Sequence, residues 1–128
     1  MKLTSSKWRA ADKLWRDYIW ELFNGKCVSC GMTSGTTFPH ECHHLAGRGA
    51  HARIKQEGGA LLCHACHYIV HNDPNGKQWL DTRIESMFPE WFRLILALRR
   101  VKPTRYTQSH FERDVEKLKA ATNGDKTR

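Results

Sequence analysis

The chain has 128 residues, of which 40% are hydrophobic and five are tryptophan, and its formal net charge is +8 with the histidines neutral. This length predicts a single folded domain with a moderate core, and the apolar content excludes a disordered chain. No apolar run approaches the roughly 20 residues that cross a bilayer, and the first residues lack the apolar core of a signal peptide, so we expect a cytoplasmic protein with no membrane partner. The positive charge favours nucleic acid as partner over an anionic membrane, although charge alone also fits an ordinary basic protein.

The first predicted element is an amphipathic helix over residues 6–24. Its apolar residues recur at spacings of three and four: Trp8, Ala11, Trp15, Tyr18, Ile19 and Leu22. Ser5 or Ser6 can cap its start, and Gly25 stands where the end of a helix favours glycine.

The middle of the chain alternates short elements with loops. Residues 27–31 predict a knuckle turn, and residues 36–45 contain strand-forming residues. Residues 46–58 carry three glycines and predict an exposed loop. A short buried strand at 60–62 and a short helix at 64–71 follow.

The last third of the chain predicts helices. Apolar residues recur at helical spacing over 76–88, 90–101 and 109–121, and Pro89 can open the second of these helices. The elements together predict an α+β fold.

Two Cys-x-x-Cys pairs, Cys27/Cys30 and Cys63/Cys66, predict a structural zinc site. In a reducing compartment such pairs bind metal more often than they form disulfides, and four thiolates complete the closed tetrahedron of structural zinc. The alternatives are two unrelated pairs or a redox dithiol, although a thioredoxin-like dithiol needs a βαβ context that is absent. Cys42 has no partner by spacing, and we interpret it as a small buried residue.

Four histidines predict a second site beside the cysteines. His67 and His71 are four residues apart, which on a helix places both imidazoles on one face and within reach of one divalent cation. His43 and His44 are neighbours, which on a strand point to opposite sides, so one can bind metal while the other faces substrate. That division suits phosphodiester hydrolysis, in which a cation stabilises the phosphate and a neutral imidazole takes a proton from water. A lone histidine is usually an ordinary surface or core residue, whereas four beside a zinc frame favour a site.

At these residues the chain resembles the HNH endonuclease family, whose fold is the ββα-metal (His-Me) finger. It is most similar to small phage and prophage members with a zinc-ribbon frame. The matching segments are Cys27-x-x-Cys30, then Glu41-Cys42-His43-His44-Leu45-Ala46-Gly47-Arg48, then Leu61-Leu62-Cys63-His64-Ala65-Cys66-His67-Tyr68-Ile69-Val70-His71.

The resemblance implies an architecture for the whole chain. Residues 1–128 would form a single nuclease domain with a ββα-metal core over 26–73, braced by the four-cysteine zinc site. The helix at 6–24 would precede this core, and a helical extension of two or three helices over 76–121 would follow it.

The resemblance also implies roles for individual residues. His43, His67 and His71 would hold a catalytic divalent cation such as Mg²⁺ or Mn²⁺, His44 would be the general base, and Arg48 would contact phosphate. The central Asn of the family, which braces the loop between the strands and helps to orient the base, is replaced by Gly58. Gln56 is a candidate substitute for that brace.

The expected function is metal-dependent hydrolysis of DNA to 5′-phosphate and 3′-hydroxyl ends, in a protein of phage or host origin. The backbone of the DNA duplex would lie on a basic stretch that consists of Arg93, Arg99, Arg100, Lys102 and Arg105. The alternative is that this stretch is an ordinary solvated helix face. One alternative is a catalytically degenerate, zinc-dependent DNA-binding module. Another is an accessory factor for phage DNA packaging, acting with a partner such as terminase.

Overall fold

The structure is a computed structural model that describes residues 3–35, 38–101 and 106–124. Within these ranges it contains five α-helices and one two-stranded antiparallel sheet, which confirms the predicted α+β class. The elements in chain order are α1 (Ser5–Leu22), β1 (Glu41–His44), a 3₁₀ turn (Gln56–Gly58), β2 (Gly59–Leu62), α2 (His64–Asn72), α3 (Gly76–Met87), α4 (Pro89–Arg100) and α5 (Gln108–Gly124).

Helix α1 begins one residue earlier than predicted, because its cap is Thr4. The Thr4 hydroxyl accepts a hydrogen bond from the backbone N–H of Lys7 at 3.3 Å. At the other end the chain leaves the helix through Gly25, whose φ of +69° suits glycine, as the sequence predicted.

The sheet fixes which side chains of β1 share a face. Strands β1 and β2 pair antiparallel in the register Glu41↔Leu62, Cys42↔Leu61, His43↔Ala60 and His44↔Gly59. Residues directly opposite each other in such a pair lie on the same face, and neighbours along a strand lie on opposite faces. His43 and His44 therefore belong to different sides of the sheet.

The sheet lies between two apolar clusters. Ala60 and Leu62 join a cluster formed with α2, α3 and α4, whereas Leu61 joins a cluster formed with α1 and α5. We call the first side the α2 face and the second the α1 face. All of β2 is buried, as expected for a strand covered on both sides.

The segment 46–58, predicted as an exposed loop, is partly buried. Ala52 and Ile54 are each 1% exposed, and Ile54 belongs to the cluster on the α1 face. Two indoles hold this segment: Trp15 Nε1 donates to the carbonyl of Lys55, and Trp91 Nε1 donates to the carbonyl of Glu57, both at 2.9 Å. Glycines give only a local signal, and these long-range contacts decide the burial of the segment.

Helix α5 is fastened to the same segment by a buried carboxylate. Asp114 is 4% exposed, and it pairs with Lys55 Nζ at 2.7 Å and accepts a hydrogen bond from the Tyr106 hydroxyl at 2.5 Å. Burial, together with the Asp114 carboxylate, raises the pKa of Tyr106 well above its usual range.

Across the residues that the structure describes, no helix has both the length and the apolar character that spanning a membrane requires.

Candidate metal centres

The first Cys-x-x-Cys pair lies on a tight turn that brings both sulfurs to one side. The N–H of Gly31 donates to the carbonyl of Cys27 at 2.8 Å, and Gly31 has a φ of +76° that favours glycine. The N–H of Val28 donates to the carbonyl of Leu61 at 2.9 Å, which fixes the turn to β2.

The second pair lies at the start of α2. Cys63 is the N-cap of the helix, and its Sγ accepts a hydrogen bond from the N–H of Cys66 at 3.4 Å. The four sulfur atoms all lie within 4.8 Å of one another, and they belong to Cys27, Cys30, Cys63 and Cys66. The 3.7 Å between Cys30 Sγ and Cys63 Sγ matches the edge of about 3.8 Å that Zn–S bonds of about 2.3 Å give in a tetrahedron. The predicted four-cysteine cluster is therefore present and compatible with structural zinc.

Burial shapes the acidity of these thiols. It raises the pKa of Cys66 and Cys30 above the usual value. Burial also acts to raise the pKa of Cys27, but hydrogen bonds from the backbone outweigh that effect, and the pKa of Cys27 is lowered. Metal binding to this cluster must therefore displace protons, so affinity rises with pH.

Three histidines converge on the α2 face of the sheet. His43 comes from β1, and His67 and His71 come from successive turns of α2. The rings of His67 and His71 lie 5.3 and 5.2 Å from that of His43, and one nitrogen of each of the three lies within 4.8 Å of the others. The structure thus brings together the three residues that the sequence assigned to one cation.

The spacing of the imidazole nitrogens suits a metal ion. His67 Nε2 and His71 Nε2 lie 2.9 Å apart, close to the separation of about 3.0 Å between neighbouring ligands at about 2.1 Å in an octahedron. Glu41 Oε2 lies 3.4 Å from His67 Nδ1, which leaves Nε2 of that ring for the cation. Sequence reasoning missed Glu41, although it stands two residues before His43 on the same face of β1.

Two of these imidazoles, those of His43 and His67, favour the neutral form that binds metal. The pKa of His43 is lowered to about 4, chiefly by burial and then by the neighbouring His67 and His71. Burial also lowers the pKa of His67, against the opposing effect of Glu41. Protons therefore compete weakly with a cation at neutral pH.

His44 lies on the α1 face and is held by Trp15. The two rings stack at 4.3 Å and 11°, and Trp15 is 2% exposed. Gly59 makes room for this packing, because a Cβ there would lie 2.4 Å from Trp15 Cζ2. Burial lowers the pKa of His44, with the charge of Arg48 as the next cause. Its buried Nε2 finds no hydrogen-bond partner among the described residues, so this nitrogen is not committed to a contact within the described part of the protein.

All four imidazoles line one cleft of about 480 Å³. The charged residues that line it come from both faces of the sheet: Asp12, Arg16, Glu41, Arg48, Lys77, Asp81 and Arg99. The three-histidine cluster and His44 therefore both border one cleft, although their side chains leave the sheet on opposite sides and Nε2 of His44 is buried.

The residues predicted to contact DNA have different settings, with Arg93 exposed beside Glu90 on α4 and Arg105 outside the described residues. Arg48 lines the cleft, whereas Arg100 is exposed at the end of α4 and Lys102 lies outside the described residues. Arg99 is engaged within the protein: its Nε donates to the carbonyl of Leu45 at 3.0 Å, and its Nη atoms bind Asp81 at 2.7 and 2.8 Å. The guanidinium of Arg99 therefore anchors the residue after the histidine pair, and its contact with DNA stays a prediction.

Gly58, at the position of the family's Asn, is enclosed. Its carbonyl accepts a hydrogen bond from the N–H of Leu45 at 2.8 Å, and a Cβ there would lie 3.2 Å from Leu98 Cδ2. The loop is held instead by the indoles of Trp15 and Trp91 and by Arg99. Gln56, the candidate brace, instead donates to the carbonyl of Lys117 at 3.3 Å.

Comparison of the chain with protein-family models, with curated proteins and with solved structures finds no match in any of the three. The similarity to HNH endonucleases therefore rests on the quoted motifs, and the ββα-metal finger and its activity are proposals. The structure shows an α+β fold with a four-cysteine cluster and a three-histidine cluster, and the ligand atoms of each cluster lie close enough together to hold a metal ion.

Proposed function

We propose that this protein is a metal-dependent DNA endonuclease of the HNH type that leaves 5′-phosphate and 3′-hydroxyl ends. The observation that carries the proposal is the arrangement of four imidazoles around one cleft. Three have nitrogens close enough together to share one ion, and His44 stands apart from them with a buried nitrogen that has no hydrogen-bond partner among the described residues. Phosphodiester hydrolysis needs this division between a cation site and a base.

His43, His67 and His71 would hold the catalytic ion. When bound, a divalent ion supplies Lewis-acid stabilisation of the charge that develops on the phosphate and on the departing 3′ oxygen. Three imidazoles suit a transition-metal ion better than Mg²⁺, which prefers oxygen ligands. We therefore expect Ni²⁺ or Zn²⁺ to bind this site more tightly than Mn²⁺, and Mg²⁺ to bind most weakly.

His44 would take the proton from the attacking water. Its lowered pKa keeps the imidazole neutral at pH 7, which is the form that accepts a proton. Stacking on Trp15 fixes the plane of its ring, and the hydrogen bond from Trp15 Nε1 to Lys55 fixes the indole in turn. The base would thus be oriented by packing, without the family's Asn.

The cysteine cluster would act through structure alone. It joins the turn after α1 to the first turn of α2, and the same helix carries His67 and His71. Zinc in a closed tetrahedron has no open position for substrate, so this ion would set the position of α2.

A plasmid-nicking assay with Mg²⁺, Mn²⁺, Ni²⁺ and Zn²⁺ tests the proposal. We expect cleavage with at least one transition-metal ion, and a loss of at least 100-fold in His44→Ala with DNA binding retained. The matched control is His110→Ala, a histidine on α5 that binds Thr107 away from the cleft. Cleavage that survives in His44→Ala would rule out His44 as the base.

The second candidate is a DNA-binding module without catalytic activity. Gly58 at the position of the family's Asn favours it. This candidate predicts DNA binding and a retained sulfur-bound zinc, but no cleavage with any of the four ions. The role as an accessory factor for phage DNA packaging rests on the resemblance alone, and co-purification with a packaging enzyme would support it.

A further inference from the structure

The carboxylates that line the cleft are all engaged within the protein. Asp12 binds Arg53 through two hydrogen bonds of 3.0 and 2.6 Å. Asp81 binds Arg99 in the same bidentate manner, and Glu41 lies against His67. Two of the three carboxylates, those of Asp12 and Asp81, are therefore balanced from inside the protein, whereas Glu41 faces a histidine whose lowered pKa favours the neutral form.

The remaining cations of the cleft have no such partner. Within the described ranges, the side chains of Arg16, Arg48 and Lys77 form no ion pair and no hydrogen bond, although all three line the same cleft as the imidazoles. This leaves three positive charges facing the solvent of the cleft, against one carboxylate there, that of Glu41, which no Lys or Arg of the described residues pairs with.

These cations lie on both sides of the four imidazoles. Arg48 follows His44 by four residues, and Arg16 on α1 directly follows Trp15, on which His44 stacks. Lys77 lies at the start of α3, on the α2 face that carries His43. A phosphate held at the imidazoles would thus have Arg16 and Arg48 to one side and Lys77 to the other.

We propose that Arg16, Arg48 and Lys77 form a phosphate track through the cleft, so that the preferred substrate is a DNA strand carrying phosphates on both sides of the bond that is cut. The assignment of the cut bond rests on the proposed function, whereas the binding of the strand does not. Contacts of this kind add affinity without sequence information and make that affinity depend on salt.

The first experiment measures binding without cleavage. The zinc-loaded protein, with no second metal added, is titrated with a fluorescein-labelled single-stranded DNA 20-mer over a salt series. Arg16→Gln, Arg48→Gln and Lys77→Gln should each lower the slope of log affinity against log salt by about 0.7, a loss of about fivefold in affinity at 0.1 M salt.

Two matched control variants distinguish binding by the phosphate track from a general effect of the protein's positive charge on DNA affinity. Lys13→Gln and Lys119→Gln remove the same charge from exposed cations that pair along their own helices with Asp17 and Glu116. We expect affinities within twofold of the parent for both. Equal losses in controls and track variants, or no loss in the track variants, would overturn the proposal.

The second experiment tests the two sides separately. A thymidine dinucleotide is offered with no terminal phosphate, with a 5′-phosphate, with a 3′-phosphate or with both. We expect each added phosphate to raise kcat/KM, with Lys77→Gln cancelling the gain from one end and Arg48→Gln cancelling the gain from the other. A variant that cancels both gains or neither would refute the two-sided arrangement.

The two experiments fail in different ways. If no dinucleotide and no plasmid is cleaved with any ion, the proposed function fails, and the salt series still decides whether the track exists. If cleavage proceeds while the salt series shows no effect of the three variants, the track fails alone.

Discussion

The two faces of the small sheet carry the site in different ways. On the α2 face, cysteine and histidine side chains form two clusters spaced for metal ions. On the α1 face, His44 is fixed by an indole, and the neighbouring segment is held by the Lys55–Asp114 pair. One face thus offers two sets of metal ligands, and the other is held by packing and hydrogen bonds. The difference shows that neighbouring residues of one strand, His43 and His44, are positioned by different kinds of contact.

The largest expected effect is loss of the sulfur site. Cys63→Ser should leave the protein unfolded or molten at 25 °C, because folding and zinc binding are coupled and structural zinc contributes on the order of 10 kcal/mol. Zinc content and thermal melts followed by circular dichroism measure this. The control is Cys42→Ser, a cysteine outside the cluster, which should cost about 1 kcal/mol. A folded Cys63→Ser protein with full zinc content would contradict the role of the sulfur site.

The next effect separates the two clusters of the α2 face. His71→Ala should abolish binding of the divalent ion proposed for the three-histidine cluster and reduce cleavage at least 100-fold, while the zinc content and the melting temperature change little. Isothermal titration with Ni²⁺ provides the readout. His64→Ala changes an exposed histidine of the same helix outside the three-histidine cluster and should leave Ni²⁺ affinity within about twofold. Unfolding of His71→Ala would mean that the histidine cluster also supports the fold.

A smaller effect is expected from the carboxylate behind the metal ligands. Glu41→Gln should weaken Ni²⁺ binding by about 10- to 100-fold, because the amide no longer holds His67 Nδ1 as a charged acceptor. Glu90→Gln, an exposed carboxylate on α4, is the control. Equal Ni²⁺ affinities in the two variants would show that Glu41 does not position His67.

The smallest effect concerns the α1 face and depends on pH. The raised pKa of Tyr106 means that its hydrogen bond to Asp114 stabilises the fold fully below pH 10, the usual tyrosine pKa, and that this contribution is lost as the pH rises further. Tyr106→Phe should cost about 2 kcal/mol at pH 7, with a smaller difference above pH 10. Urea unfolding at pH 7, 9 and 10.5 measures it. Tyr68→Phe, at an exposed tyrosine, should show no difference at any pH, and a constant gap for Tyr106→Phe would contradict the prediction.

The parts of the site that follow from local periodicity could be predicted from the sequence. Helical spacing placed His67 and His71 together, and strand alternation separated His43 from His44. These patterns depend on backbone geometry within a few residues, which a sequence displays directly.

The contacts that orient these residues come from distant parts of the chain. Trp15 bonds to a carbonyl 40 residues away, and Arg99 binds Asp81 and the carbonyl of Leu45. Tryptophan at helical spacing predicts a core position, and arginine at the end of a helix predicts a solvated or phosphate-binding residue. Neither pattern identifies the partner, because that choice is made by tertiary packing.

Helix α2 carries ligands of both clusters within nine residues, with Cys66 and His67 adjacent on it. The same short helix therefore links the two clusters. If zinc binds the four sulfurs, it would fix the position of α2 and so also the positions of His67 and His71.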